Sequence, residues 1–174
     1  MLSLRLIAAV GAALAVSSSL AGAQSDVKPS LVQQFGDWGA YAGVANGNKV
    51  CFAMAQPSSS QTVPPNRPRD PVYFYLATRP AENVRNEINI IIGYPFGRNS
   101  ETVLEIGTAK FSLQTQGDNA WARSNGEETQ MIDAMRKGSD LTLKGQSARG
   151  TQTTDKFSLR GLGQALDRVG QECR

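Results

Sequence analysis

The stretch "PVYFYLATRP" at residues 71–80 decides the fold class of this 174-residue chain. Apolar side chains fill both sets of alternating positions: one face of an extended strand carries Val72, Phe74 and Leu76, and the other carries Tyr73, Tyr75 and Ala77. Successive side chains of a strand point to opposite faces of its sheet. The pattern therefore predicts a strand in the middle of a sheet, covered on both sides.

A second strand of the same kind follows in "EINIIIGYPF" at residues 87–96, where isoleucine fills four of the five positions from 88 to 92. The connecting residues 79–86 read "RPAENVRN", which is too short and too polar for a crossover helix. Because parallel strands need such a crossover, the two strands are predicted to pair antiparallel.

Further strand patterns lie on both sides of this pair. The Asn46–Gly47 turn signal joins "FGDWGAYAGV" (35–44) and "KVCFAMA" (49–55) into a predicted hairpin. Short alternating stretches continue at 102–107, 110–115, 118–123, 140–147 and 153–159. Between the hairpin and the central strand, proline and serine predict a long loop over residues 56–70.

Two segments change to helical spacing. In "NGEETQMIDAMRKG" (125–138), Asn125 with Glu128 fits a helix cap, and Gly138 fits a left-handed stop. The tail "GLGQALDRVGQEC" (161–173) carries an apolar face of helical period. We therefore expect an all-β domain, a jelly-roll-like β-sandwich of eight to nine short, mainly antiparallel strands with two short helices towards the C-terminus; a barrel is the second choice.

The N-terminal residues 1–23 have the anatomy of a secretory signal peptide. A basic residue precedes a short apolar run, and Ala21 and Ala23 form the small-residue site that signal peptidase needs. An uncleaved anchor or a buried helix is the alternative. Cleavage leaves residues 24–34 as a flexible lead and 35–174 as a single domain, with no later stretch long and apolar enough to span a membrane.

The chain has two cysteines, Cys51 and Cys173, and they enclose 123 residues. In an exported protein such a pair is expected to form one disulfide, which would tie the C-terminal tail to an early strand. A loop of this size stabilises the folded state by roughly 4–5 kcal/mol in the chain-entropy model. Two free buried thiols are the alternative, and a metal site is not expected because the chain contains no histidine.

The absence of histidine also removes the usual general base and the common nucleophile pairs, so we expect no enzyme, no catalytic residues and no cofactor. After signal removal 17 basic residues face 15 acidic ones, a balance too mild to predict nucleic-acid binding. Glu101 and Glu105 are interpreted as part of a solvated edge rather than a catalytic pair.

The strongest candidate for partner binding is "NRPRDPVYFY" at residues 66–75. Arg67, Arg69 and Asp70 lie on a proline-stiffened loop, and Tyr73 and Tyr75 follow. Arginine pairs well with carboxylate or phosphate, and tyrosine is enriched at interfaces. In the alternative interpretation, Asp70 pairs with a neighbouring arginine to fix the loop, and the tyrosines belong to the core.

Several of these stretches together resemble the invasion associated locus B family of gram-negative bacteria. The resemblance covers about residues 35–174, and "RDPVYFYLATRP" and "DAMRKG" are its most specific segments. It implies an exported protein of the periplasm or outer surface, linked genetically to bacterial entry into host cells, notably red blood cells. The family's cysteines match Cys51 and Cys173, and no catalytic residue is carried over.

These observations predict a non-enzymatic protein that binds a protein, an envelope component or a host-cell component, with its oligomeric state open. A periplasmic accessory protein that binds a small or extended ligand in a sandwich groove is the second hypothesis, and an enzyme with an unfamiliar carboxylate site is the third. An exposed apolar patch would favour the first, a deep pocket lined by tyrosine or Trp38 the second, and clustered carboxylates with raised pKa values the third.

Overall fold

The computed structural model describes residues 27–98 and 100–174, and the signal-peptide prediction lies outside these residues. Eleven strands and two α-helices follow in chain order. The strands are β1 Val27–Phe35, β2 Trp38–Ala45, β3 Asn48–Ala55, β4 Ser59–Val63, β5 Tyr73–Arg79, β6 Val84–Ile91, β7 Thr102–Ile106, β8 Ala109–Gln116, β9 Asn119–Trp121, β10 Asp140–Gln146 and β11 Gln152–Ser158. The helices are α1 Asn125–Lys137 and α2 Leu162–Glu172, and a short 3-10 turn occupies Pro80–Glu82.

All strands pair antiparallel, in the order β1-β2-β3-β5-β6-β9-β8-β7-β10-β11-β4. Strand β8 belongs to both halves of this order: residues 109–113 pair with β7 and residues 114–116 pair with β9. The sheet therefore forms a first layer from β1 to β9 and a second layer from β7 to β4. Within the described residues β1 and β4 do not pair with each other, so the sheet is open rather than closed on itself.

The core lies between the two layers and is centred on three aromatic rings. Phe74 of the first layer contacts Trp38 edge-on at a centroid distance of 5.8 Å and Phe157 of the second layer at 5.7 Å. All three side chains are fully buried, and the Trp38 indole N–H donates to the Ser158 carbonyl at 2.9 Å. These contacts join the layers in the geometry that aromatic pairs favour. The predicted all-β, sandwich-like fold is confirmed.

The central pair of strands forms as expected, because β5 and β6 pair antiparallel from Tyr73↔Ile91 onwards. One detail was wrong. Only the face of β5 that carries Phe74 and Leu76 is buried, whereas Tyr73 and Tyr75 on the other face are half-exposed. Strand β5 is therefore central in the sheet but is covered fully on one side only.

The strand count of eight to nine was too low because the polar edge strands were missed. Residues 27–34 of the expected flexible lead belong to β1, and residues 59–63 of the expected loop form β4. Both strands are mostly exposed and pair on one side only, so neither needs the apolar alternation by which strands are recognised. Pro29 is tolerated in β1 because an edge strand can lack one amide donor.

The helices occur where the spacing predicts them, but their caps differ. Ser124 rather than Asn125 caps α1, and its hydroxyl accepts from the Glu127 amide at 3.2 Å. Gly138 ends the helix in extended rather than left-handed backbone. Helix α2 buries Leu162, Ala165, Leu166 and Val169 against the first layer. Among the helices of the described ranges, none has the length and hydropathy required to cross a membrane.

Candidate functional site

The loop between β4 and β5 is anchored by a buried ion pair. Arg69 Nη1 donates to Asp155 Oδ2 at 2.9 Å, and Nη2 donates to Oδ1, so the contact is bidentate. The Asp155 side chain is 0% exposed and that of Arg69 10%, and Ser60 Oγ also donates to Asp155 at 2.6 Å. The partner of the loop arginine is therefore Asp155 rather than Asp70, and its guanidinium is already occupied.

The same loop borders a cleft of about 1020 Å³ at one end of the sandwich. Arg67 and Arg149 lie on one side of the cleft, and Asp70 and Asp118 on the other. Tyr94 contributes its ring, and burial raises the pKa of its hydroxyl. Of the residues predicted for partner binding, the structure brings Arg67, Arg69 and Asp70 to this cleft.

Local geometry fixes the walls of this cleft. The Asp70 amide donates to the Gly93 carbonyl at 3.0 Å, and Gly93 has a φ of +79°. A side chain at Gly93 would collide with the Asp70 carbonyl, so glycine is required both for conformation and for space. The Tyr94 hydroxyl bonds to Thr153 Oγ1 at 2.6 Å, which connects the cleft to β11.

Tyr73 and Tyr75 lie away from the cleft, on the outer surface of the first layer. There they join Tyr41 and Phe52 in a row of rings that we call the aromatic face. Tyr41 stacks on Phe52 at 5.2 Å, Phe52 meets Tyr75 at 5.5 Å, and Tyr75 meets Tyr73 at 5.8 Å between centroids. All four side chains are half-exposed. The structure therefore divides the predicted binding segment between two sites.

The aromatic face is built by three adjacent strands in register. Tyr41 of β2 pairs with Phe52 of β3, and Met54 of β3 pairs with Tyr75 of β5. Gly39 leaves room for the Tyr41 ring, since a Cβ there would come within 2.6 Å of it. At the rim stands Leu31 of β1, opposite Tyr41 and 52% exposed. Burial and the neighbouring tyrosines raise the pKa of Tyr75.

Carboxylates meet at a smaller pocket of about 340 Å³ between β6 and α1, lined by Glu87 and Glu128 among others. Glu128 Oε1 accepts from the Ile88 amide at 2.7 Å, which satisfies a backbone group of β6 beyond the end of its pairing with β9. Burial, and to a smaller extent Glu87, raise the pKa of Glu128, whereas the Ile88 hydrogen bond lowers it. Glu128 is thus tied to the backbone.

The pair considered from sequence, Glu101 and Glu105, is not an acid–base pair. Glu101 lies before β7, and Glu105 forms ion pairs with Lys144 at 2.8 Å and Lys110 at 3.0 Å. Hydrogen bonds from these two lysines lower the pKa of Glu105. In the described part of the chain, no three histidine, cysteine, aspartate or glutamate side chains converge as metal ligands would.

Cys51 and Cys173 form the predicted disulfide, with their Cα atoms 5.9 Å apart. Both residues are fully buried, so the bond fastens the end of α2 onto β3 inside the protein. Beside it Lys49 Nζ contacts the Glu172 carbonyl at 2.6 Å and the Glu172 carboxylate at 3.1 Å. The bond is structural and lies away from both candidate sites.

Sequence reasoning missed Tyr41 and Phe52 as functional candidates. The signal was available, because Phe52 and Met54 alternate with Cys51 and Ala53, so an apolar face opposite the core was readable in β3. Arg149 was missed too, because it reaches the cleft only through the pairing of β11 with β4, which no local pattern reveals.

Fold and sites together define a class: a small all-β, sandwich-like domain tied by a disulfide, of the kind typical of oxidising compartments outside the cytosol. A family model described as "Invasion associated locus B (IalB) protein" matches residues 41–170. The chain therefore belongs to the invasion associated locus B family. No curated protein and no solved structure matches it significantly. Family membership and the disulfide are both consistent with an exported bacterial protein.

Proposed function

We propose that this chain is an exported, non-enzymatic binding protein whose aromatic face docks onto a partner protein of the bacterial envelope or the host cell. The single observation that carries the proposal is the uninterrupted row of half-exposed rings from Tyr41 through Phe52 and Tyr75 to Tyr73. Contiguous exposed apolar patches mark interaction sites, and tyrosine is enriched in them because its ring is apolar and its hydroxyl tolerates water.

The surroundings of the face support a protein partner. Leu31 and Met54 extend the apolar area, whereas the charges at its border, Arg79 with Glu82 and Glu87, pair with one another at 2.7 and 2.8 Å. An apolar centre with a polar, charge-balanced rim is the usual anatomy of a protein interface.

The second candidate function is ligand binding in the loop-end cleft. Its volume of about 1020 Å³ is at the upper end of the range for small-molecule sites, and Tyr94 with Pro64, Pro68 and Pro95 gives it apolar walls. The pocket expected from sequence was to be lined by Tyr73, Tyr75 or Trp38, none of which lines this cleft. The aromatic face therefore remains the first choice.

The non-enzymatic part of the proposal rests on how the acidic groups are used. Glu128, with its raised pKa, is held by the Ile88 amide, and Glu105 is held by two lysines. Each carboxylate thus has a structural partner in place.

Site-specific photocrosslinking in living bacteria tests the proposed interface. A photoreactive residue at Leu31 lies at the rim of the aromatic face and leaves the four rings intact, and one at Ser112, exposed on the second layer, is the matched control. We expect a discrete protein adduct from position 31 that disappears when Phe52→Ser and Tyr75→Ser are combined, with little loss of thermal stability. No adduct, or equal adducts from both positions, would reject the aromatic face as the interface.

Export is tested separately by fractionation and N-terminal sequencing of the protein from the periplasm. Cleavage after Ala23 gives a chain that begins at Gln24. Recovery of the full-length chain in the cytosol would reject the proposed location, whatever the crosslinking result.

A further inference from the structure

The two free edges of the sheet, β1 and β4, are built differently. β1 contains Lys28 and Pro29, and its pairing with β2 is interrupted by two register shifts. Charges, prolines and bulges of this kind prevent another strand from adding to an edge. The first layer is therefore protected against edge-to-edge association.

Strand β4 has none of these protections. Its sequence "SSQTV" contains no charge and no proline, and all five residues pair with β11 in an unbroken register from Ser59↔Lys156 to Val63↔Gln152. In the described residues no strand pairs with its other side, and Val63 is 63% exposed. A regular edge of this kind presents amides and carbonyls that an incoming strand can use.

The charges next to this edge have one sign. Lys156 lies beside Ser59 at one end of β4. Arg67 and Arg149 lie at the other end, where the Arg67 amide donates to Thr62 Oγ1 at 3.1 Å. These three side chains are exposed, and the ion pairs among the described residues involve none of them.

The acidic groups nearby do not cancel this positive charge. Asp155, the carboxylate next to β4 in the sheet, is buried and neutralised by Arg69. Asp37, near the Ser58 end, pairs with Arg160 at 3.3 Å. Asp70 is exposed but lies across the cleft, against Gly93.

We propose that the outer edge of β4 is a docking site for an extended acidic segment of a partner protein. The segment adds to the sheet as a further strand, and its carboxylates contact Lys156 at one end and Arg67 and Arg149 at the other. This site is separate from the aromatic face, which lies on β2, β3 and β5 of the first layer.

The register also defines the spacing of the acidic residues. Ser59 and Val63 are four positions apart, which corresponds to roughly 13 Å along a strand. A segment with two acidic residues about four positions apart therefore places one carboxylate at each basic end. The backbone hydrogen bonds supply affinity irrespective of sequence, and the charges supply selectivity.

A second copy of this chain fits the edge less well. Two β4 strands paired antiparallel about Gln61 would bring Lys156 of each copy next to Arg67 and Arg149 of the other. Like charges across an interface oppose association. The charge distribution thus favours a heterologous acidic segment.

Fluorescence anisotropy with the mature protein tests this site. The probe is a labelled peptide of Thr and Val residues with two glutamates four positions apart; one control peptide carries lysines instead, and another keeps the glutamates but is N-methylated on alternate residues. We expect only the first to bind, with an affinity that falls as salt rises. On binding, hydrogen exchange should slow at residues 59–63 and stay unchanged in β1.

Protein variants complete the experiment. Lys156→Glu combined with Arg149→Glu should weaken binding of the acidic peptide by roughly tenfold or more, whereas Arg85→Glu, an exposed charge on β6, should not change it. Thermal unfolding checks that each variant is folded, and the lysine peptide provides the charge test without any variant. Equal binding of the N-methylated peptide, absence of binding, or occupation of the edge by a dimer of this chain would each overturn the proposal.

Discussion

Arg69 and Asp155 lie 86 positions apart in the chain and form a bidentate ion pair that fixes the loop between β4 and β5 against β11. The carboxylate is fully buried, and Ser60 is its third contact. This single pair holds one wall of the cleft and the start of the central strand in place. Its energetics are therefore the first property to test.

Removing one member of the pair should destabilise the protein strongly. Arg69→Ala leaves the Asp155 charge buried without compensation, so we expect a loss of about 3–5 kcal/mol in the free energy of unfolding. Arg67→Ala, an exposed neighbour, should change it by less than about 0.5 kcal/mol. Urea denaturation measures both. The double variant Arg69→Met with Asp155→Leu should be more stable than either single change, and equal losses for all three would contradict this explanation.

The disulfide should contribute a large part of the global stability. In the chain-entropy model, opening a loop that joins residues 51 and 173 costs the folded state roughly 4–5 kcal/mol, and measured values often fall below this estimate. Cys173→Ser should therefore lower the melting temperature markedly, and so should reduction of the unaltered protein. The native protein should show no reactive thiol under denaturing conditions without reductant. An unchanged melting temperature after reduction would contradict the prediction.

Glu128 should produce a fall in stability as pH rises. Its pKa is raised in the folded state, so between the ordinary carboxyl value and the raised value the folded protein holds a proton that the unfolded chain has released. Stability is therefore lost as pH rises through this window. Glu128→Gln keeps an oxygen acceptor for the Ile88 amide and should remove the fall.

The matched variant Glu128→Ala tests the hydrogen bond itself. It leaves the Ile88 amide without an acceptor, and we expect a loss of about 1–3 kcal/mol if water does not replace the carboxylate. Comparing the two variants with the parent across pH separates the charge from the hydrogen bond. Glu105 acts in the opposite direction, since its lowered pKa makes stability rise with pH.

Tyr75 and Tyr94 should ionise above the ordinary tyrosine range. Burial is the main cause for both, and Tyr73 and Tyr41 add to the shift at Tyr75. Because the unfolded chain loses these protons first, stability should fall as pH rises above the ordinary tyrosine value. Phenolate absorbance measures the titration, and Tyr75→Phe should remove its high-pH component. A titration of this component within the ordinary range would show that the aromatic face is open to water.

Local pattern predicted much of the fold. The hairpin at Asn46–Gly47, the central strands and both helices follow from turn signals and from periods of two or 3.6 residues. The edge strands β1 and β4 carry no such period, because a strand exposed on most sides has no apolar face to bury. Their pairing is set by neighbours far along the chain, as in Ser59↔Lys156.

The candidate sites were harder to predict than the fold. The loop arginines and the tyrosines are adjacent in sequence, and sequence reasoning placed them in one site. The structure separates them because Arg69 turns inward to Asp155, whereas Tyr73 and Tyr75 point outward from β5. Tyr41 completes the aromatic face only through cross-strand pairing. Such nonlocal relations have no signature in a single sequence.

The bond between Cys51 and Cys173 also determines what proteases can do to this protein. A single cut in any loop between these residues, including the exposed loop at 64–71, leaves both pieces joined through sulfur. In a compartment rich in hydrolytic enzymes, a nicked molecule therefore keeps all its strands at one effective concentration and sheds no fragment. Damage becomes visible as a change in mass only after a reductant has been added.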